Sequence, residues 1–238
     1  MTDSARATAE EVTAALDDVA ALGGFFVLPT GGRDEGWHPV GDSYARGFTD
    51  LAEAVTHRYR AREPRVGVSV AHLGHAARLW SPALACVALH GIVPDLGGLQ
   101  RADDGPALRL PRPAGWHTDR LPDPALVLSE QVTRQLREFA TGLRVKIAPR
   151  LLDGNAASAL VGAAHVLLTA RPGLREPLTG LTVELLNTGR LVGTGRLTGP
   201  DLTFRRRSCC LYYRAPDGMK CGDCCLAGRD VRSSPGRR

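Results

Sequence analysis

Lysine is nearly absent from this sequence. Of 30 basic residues, only Lys146 and Lys220 are lysines, and all the others are arginines. Together with the abundance of alanine and glycine, this is typical of a GC-rich coding sequence, so an isolated arginine carries little functional information. Arginines cluster in residues 205–238, where nine cations oppose three aspartates and give a local charge of +6, against +5 for the whole chain. Such a segment attracts anionic partners.

Long apolar runs and a leader segment are also missing. The first residues, MTDSARATAEEV, contain neither the basic region nor the apolar region of a secretory signal peptide. The longest apolar run, residues 156–170, is short and contains His165, which argues against a membrane span. We therefore expect a cytoplasmic protein, with at most a transient association at the membrane side, in which thiols stay reduced.

Cysteine is scarce everywhere except near the C-terminus. Cys86 stands alone in an apolar run and is expected to be a small buried side chain. The other five cysteines lie within 17 residues, at Cys209, Cys210, Cys221, Cys224 and Cys225. In a reducing compartment, such a group indicates metal binding or redox chemistry rather than a disulfide framework.

The spacing Cys-Cys-x10-Cys-x2-Cys offers four thiolates from one short segment. Such a set suits either an S4 zinc site or an iron–sulfur cluster. Structural zinc sites commonly use two C-x2–4-C pairs, and the adjacent Cys209 and Cys210 would need an unusual turn to reach one ion. A 2Fe-2S cluster accepts neighbouring ligands more easily, because its four outward positions are spread over two irons. The residues alone leave both metals open and favour the cluster.

The cysteine motif and parts of the body resemble a known family. The pattern RRSCCLYYR…CGDC is similar to the cluster motif of FhuF-type ferric-siderophore reductases. HLGHAARLWSPALACVALHG (72–91) and PRLLDGNAASALVGAA (149–164) resemble the body of the same family, which is similar to part of the siderophore synthetases. The resemblance implies a 2Fe-2S cofactor whose ligands are Cys209, Cys210, Cys221 and Cys224. Cys225 departs from the family pattern, and we expect no ligand role for it.

The resemblance also implies a function, the one-electron reduction of a ferric siderophore. Fe(II) suits hard oxygen donors less well than Fe(III), so reduction loosens the complex. The sequence has no G-x-G-x-x-G after a predicted strand and no P-loop. We therefore expect the electrons to come from a separate donor, such as an acidic ferredoxin-like protein that docks at the basic segment.

Two other functions stay open at this stage. One is a zinc-stabilised nucleic-acid-binding module, and the other is a non-catalytic iron–sulfur sensor of iron or redox state. Nucleic acid is not expected as a partner, because the basic residues are not interleaved with a recognition helix.

Contacts to a siderophore are predicted on two surfaces. One consists of residues of the body, namely Arg78, Trp80 and Trp116. The other consists of arginines that flank the first cysteine pair, namely Arg205, Arg206, Arg207 and Arg214. His72 and His75 share a helical face but lack cysteine or carboxylate company, so we expect structural roles for them. Trp37-His38 and Trp116-His117 are predicted to lie in loops, where stacking on a flat siderophore group and a structural role are both open and the structural role is favoured.

The predicted fold class is α+β, a helix-dominated body with a small antiparallel sheet and an irregular C-terminal iron–sulfur segment. Residues 1–204 are predicted to form the body and to bind the siderophore, residues 205–226 to bind the cluster, and residues 227–238 to form a basic flexible tail. Helices are predicted over 1–22, 43–62, 129–147, 154–169 and 174–188. The first begins with a capping box at Thr8 and Glu11. Residues 66–90 are apolar, and a break or a helix start is expected at Ser81-Pro82. Strands are predicted at 25–29 and 107–110.

Overall fold

The computed structural model describes residues 5–227, so the predicted tail lies outside the described residues except for Ala227. Seven α-helices make up nearly half of this part of the chain. They are α1 (Ala9–Ala20), α2 (Val40–Ala45), α3 (Thr49–Arg58), α4 (Pro64–His90), α5 (Pro124–Gly142), α6 (Pro149–Ala170) and α7 (Arg175–Leu186). The strands are β1 (Arg6–Ala7), β2 (Trp37–Pro39), β3 (Ile92–Pro94), β4 (Gln100–Ala102), β5 (Leu108–Arg109), β6 (Gly115–His117), β7 (Gly195–Leu197) and β8 (Phe204–Arg206).

The predicted α+β class is confirmed, but the strands form three small antiparallel sheets rather than one. Their orders are β1-β6-β3, β2-β4-β5 and β7-β8. In the first sheet Val93 pairs with Trp116, and in the second His38 pairs with Arg101. The dipeptides Trp37-His38 and Trp116-His117 therefore lie in strands, and their predicted placement in loops is wrong.

The N-terminal half confirms one predicted helix and corrects two other elements. Thr8 caps α1 through the predicted capping box with Glu11. The predicted strand at residues 25–29 is wrong, because this segment starts as a 3-10 turn at Gly24–Phe26. The predicted helix 43–62 is split into α2 and α3, because Gly47 and Phe48 both adopt the left-handed region, at φ 78° and 54°.

Helix α4 lies in the core and is continuous through Pro82, so the predicted break is wrong. Proline inside a helix removes one hydrogen bond and costs about 3 kcal/mol in an exposed helix. Trp80, Ala83 and Leu84 are all fully buried around it. Packing on all sides of this turn keeps the helix continuous where local propensity would end it. The helix ends at Gly91, whose φ of 62° supplies the left-handed cap.

Helix α6 packs against α4 and forms the second buried layer of the core. By length and composition it is the one helix among residues 5–227 that could cross a membrane, but 72% of its most apolar window is buried inside the fold. It therefore fits the role of a core helix, compatible with a soluble protein. Proline at the first position starts both α5 and α6.

The chain enters the cysteine segment through the β7–β8 hairpin. Gly195 pairs with Arg206, and a Cβ on Gly195 would come within 2.2 Å of the Phe204 ring. Glycine is therefore required at this position. Strand β8 spans the predicted boundary between the body, which ends at residue 204, and the cluster segment, which begins at residue 205. The division into body and cluster segment stays a prediction.

Candidate metal centre

The cysteine segment after β8 folds back on itself, so that its two ends meet. The Arg206 amide donates to the carbonyl of Asp223 at 3.0 Å, and the Sγ atoms of Cys210 and Cys221 are 3.5 Å apart. Leu211 follows the cysteine pair with a φ of 66°, in the left-handed region. This sharp turn lets two adjacent cysteines serve one site.

Two backbone amides donate to cysteine sulfurs. Leu211 N lies 3.3 Å from Cys209 Sγ, and Leu226 N lies 3.4 Å from Cys224 Sγ. Hydrogen bonds of this kind favour thiolate over thiol and tune iron–sulfur potentials. The segment thus prepares its sulfurs to carry negative charge.

Burial differs among the cysteines of the segment. Cys210 and Cys224 are buried, whereas Cys209, Cys221 and Cys225 are partly exposed. A group bound among these sulfurs would be covered by protein on one side and close to solvent on the other. Outer-sphere electron transfer needs such an accessible edge.

The thiols compete for a single negative charge. Hydrogen bonds from Cys209 and then Cys221 lower the pKa of Cys210 to about 2. The same hydrogen bonds, together with burial, raise the pKa of Cys209 and of Cys221. Each further ionisation is therefore costly until metal cations compensate it.

Across residues 5–227, no three cysteine, histidine or acidic side chains are grouped as a metal site. Four thiolates around one zinc ion, or thiolates shared between the two irons of a 2Fe-2S cluster, would both require the cysteine side chains to adjust from this arrangement.

Arg206 gives an independent test of whether an anionic group fits here. Its side chain is 1% exposed. Its Nη2 donates to Asn155 Oδ1 at 2.6 Å, but its buried Nε and Nη1 have no hydrogen-bond partner in the described structure. Its charge helps to lower the pKa of Cys210. A buried, partly unsatisfied cation beside thiolates is stable only next to an anion, and a 2Fe-2S cluster with four thiolate ligands carries net negative charge.

Helices α4 and α6 hold the segment through a short polar network. Ser69 Oγ of α4 donates to the carbonyl of Cys210 at 2.7 Å. Asn155 of α6 donates to the Ser69 carbonyl at 2.8 Å and accepts from Arg206. Ser158 of α6 donates to the carboxylate of Asp223. Sequence reasoning missed these residues, although polar Asn155 inside an apolar helix was a usable signal.

Gly154 allows this close approach. A Cβ at this position would lie 2.0 Å from Ser208 Oγ and 3.1 Å from Arg206 Nη2. The cysteine segment therefore packs directly on the backbone of α6.

The four predicted arginines do not form one solvated patch. Arg206 is buried. Arg205 donates to the carbonyls of Cys224 and Ala227, and Arg214 pairs with Glu63 at 2.6 Å. Arg207 is exposed. Arg205 and Arg206 are thus tied into the fold, whereas Arg207 and the ion-paired Arg214 both lie at the surface. Siderophore contact by these arginines stays a prediction.

The body residues predicted to contact a siderophore lie elsewhere. Trp80 and Trp116 are buried in the core, so neither ring offers a surface to a siderophore. Arg78 is half-buried, donates to the Gly74 carbonyl at 3.0 Å and lies 5.0 Å from the Phe25 ring centroid. The contacts of Arg78 hold it within the fold, and the two tryptophans are core residues.

The histidines and the cysteine outside the motif that the sequence singled out lie inside the fold. His75 Nε2 bonds the Tyr44 hydroxyl at 2.7 Å, and His38 lies between Asp103 and Ser43. Cys86 is fully buried, as predicted, and burial raises its pKa to about 12. His72 is also buried, but its Nδ1 has no partner.

Comparison with known proteins bears on the cysteine segment alone. The family model described as the FhuF 2Fe-2S C-terminal domain matches residues 206–226. No curated protein and no solved structure matches the chain. The match confirms the resemblance seen in the cysteine motif and the 2Fe-2S cofactor, while the assignment of individual ligands stays a prediction. Residues 206–226 of this chain thus match the FhuF 2Fe-2S C-terminal domain, and the match does not extend into the body.

Proposed function

We propose that this protein is a ferric-siderophore reductase that passes single electrons from a separate donor to Fe(III). The observation that carries the proposal is the FhuF 2Fe-2S C-terminal domain at residues 206–226, with two buried and two partly exposed members of its cysteine quartet. In this proposal the ligands are Cys209, Cys210, Cys221 and Cys224.

The chain's own residues would bind the cluster and set its electrostatic surroundings. When bound, the cluster would supply one electron per cycle, so that the donor is oxidised by one electron and the siderophore's Fe(III) becomes Fe(II). Cys210 and Cys224 are the buried members of the quartet, and the Cys210 carbonyl accepts from Ser69 of α4. Partly exposed Cys209 and Cys221 mark the edge at which electrons would arrive and leave.

The electron donor would be a separate acidic protein of the ferredoxin type. Support comes from the charge of +6 over residues 205–238, since complementary charge accelerates the encounter of proteins. The proposal needs no proton-transfer residue, because the conversion of Fe(III) to Fe(II) adds only an electron.

A single-turnover experiment tests the reductase. The reconstituted protein is reduced with dithionite, freed of excess reductant and mixed anaerobically with a ferric siderophore. We expect the visible absorption of the oxidised cluster to return, with one Fe(II) trapped by a chelating dye per cluster oxidised. A cluster that is reducible but stays reduced in the presence of ferric siderophores would favour the sensor function instead. A colourless protein with stoichiometric zinc would exclude both the reductase and the iron–sulfur sensor.

A further inference from the structure

A cavity of about 470 Å³ opens between α4, α5, α6 and the segment that joins α5 to α6. This volume falls in the range of small-molecule sites. Its buried walls include Leu136, Leu152 and Ala156. Apolar walls of this kind suit the faces of a flat ring.

The mouth of the cavity is positively charged. Arg137, Lys146 and Arg190 line it and are exposed, and Asp153 is the one carboxylate of the lining. Asp153 pairs with Arg190 at 2.9 Å, which leaves the charges of Arg137 and Lys146 uncompensated by any ion pair within residues 5–227. The lining therefore favours an anion.

His72 supplies a polar group at the buried side. It is 1% exposed and lines the cavity, and its Nδ1 lacks a hydrogen-bond partner. Burial, and then the charge of Arg206, lowers the pKa of His72 to about 3, so the ring is neutral at pH 7. A neutral imidazole offers one donor and one acceptor. A bound ligand that forms a hydrogen bond with Nδ1 would remove the free-energy cost of leaving this buried atom without a partner.

The cavity adjoins the cysteine segment. His72 lies one turn along α4 from Ser69, on the same helix face, and Ser69 bonds the carbonyl of Cys210. Asp153, which lines the cavity, precedes Gly154 on α6, and the Cβ position of Gly154 lies 3.1 Å from Arg206 Nη2. The guanidinium groups of Arg150 and Arg207 both lie 3.7 Å from the Cβ position of Gly193, in the loop that carries Arg190.

We propose that this cavity is the substrate subsite and that it takes a planar aromatic oxyanion of the catecholate type. The ring would lie against the apolar walls, with one oxygen toward Arg137 and Lys146 and the adjacent oxygen toward His72 Nδ1. The inference rests on the proposed function in one respect, that the aromatic oxyanion is an arm of a ferric siderophore. It predicts selection of anionic over cationic siderophores at a site in the body, beside the cluster.

Gallium(III) complexes test binding without electron transfer, because Ga(III) is not reduced. Calorimetric titration of the cluster-loaded protein would compare a gallium tris-catecholate, which is anionic, with a cationic gallium trihydroxamate. We expect binding of the anionic complex that weakens as salt rises. The Arg137→Gln/Lys146→Gln variant should bind it about tenfold more weakly, a loss that two exposed charges can supply. His72→Phe should weaken it too.

The matched control changes two exposed arginines outside the cavity, Arg62→Gln and Arg112→Gln. This variant loses the same charge and should bind within about twofold of wild type. The subsite would be overturned if the Arg137/Lys146 variant bound the anionic complex as tightly as wild type does. It would also be overturned if wild type bound the cationic complex as tightly as the anionic one. The rates of single-turnover reduction separate the two proposals. Wild-type rates in the Arg137/Lys146 variant would refute the subsite alone, whereas tight gallium binding without reduction of the iron complex would refute the reductase alone.

Discussion

At the scale of single residues, Arg206 sets the charge around the cysteines. It is a buried cation whose ordered contacts are to the neutral Asn155 amide and the Leu151 carbonyl. A reduced cluster carries one more negative charge than an oxidised one, so a nearby cation stabilises the reduced state more. Arg206 should therefore raise the reduction potential.

Replacing Arg206 by methionine tests this role with two independent measurements. We expect Arg206→Met to lower the midpoint potential by tens of millivolts in a spectroelectrochemical titration, because the missing charge penalises the reduced state. The cluster-free protein should be unchanged or more stable to heat, since an uncompensated buried charge is costly. Arg207→Met, at the exposed neighbouring position, is the control and should change neither value. An unaltered potential in Arg206→Met would refute the electrostatic role.

The ligand assignment is testable by single substitutions. Serine at Cys209, Cys210, Cys221 or Cys224 should abolish or strongly shift the visible absorption of the reconstituted protein, because thiolates hold the irons. Cys225→Ser and the buried Cys86→Ala should keep it. If Cys225→Ser loses the cluster while one of the four tolerates serine, the fifth cysteine is a ligand and the family pattern does not hold here.

At the scale of elements, α6 serves both the core and the cysteine segment. Gly154 faces Ser208 and Arg206 with no room for a methyl group, whereas nothing lies within 4 Å of the Cβ position of Gly162 on the same helix. The two glycines form a natural pair for separating helix propensity from packing.

Alanine substitutions at these two glycines should have opposite effects. Alanine is favoured over glycine in helices by about 1 kcal/mol, so Gly162→Ala should slightly raise the melting temperature. Gly154→Ala gains the same propensity but displaces Ser208, and we expect faster cluster loss with helical circular dichroism preserved. Equal cluster retention in both variants would show that the segment does not pack on α6 as the structure has it.

Elements that depend on local sequence signals could be predicted, whereas those that depend on tertiary packing could not. The capping box of α1 and the apolar spacing of α4 to α7 are local signals, and the corresponding helices formed. The continuity of α4 through Pro82 and the split at Gly47-Phe48 depend on tertiary packing, which local patterns do not contain. The cysteine motif could be predicted because the ligand spacing lies within one short segment. The contacts of Ser69, Asn155 and Arg206 join distant parts of the chain, so no local spacing predicts them.

At the scale of the whole molecule, the body and the cysteine segment differ in what stabilises them. Leu191, Leu202 and Phe204 belong to the hydrophobic core, which runs through β8. Residues 207–227 contribute no member to that core. They are attached instead by hydrogen bonds, the ion pairs Arg60–Asp217 and Arg214–Glu63, and an edge contact between the Tyr59 and Tyr212 rings at 5.2 Å. Exposed ion pairs of this kind contribute little, up to about 1 kcal/mol each.

The order of residues 207–227 should therefore depend on the cluster, while the body should not. On removal of iron with a chelator, we expect helical circular dichroism to stay near its original value, because the core is untouched. Trypsin should then cut after Arg207, Arg214 and Lys220, which the cluster-loaded protein protects, since metal binding contributes the free energy that orders such segments. Mass spectrometry of the fragments identifies the cuts, and a chelator-treated Cys210→Ser variant, already cluster-free, should show no further change. Collapse of the whole helical signal on iron removal would mean that body and segment fold as one unit, and that the polar network on Ser69 and Asn155 couples the cluster to the core.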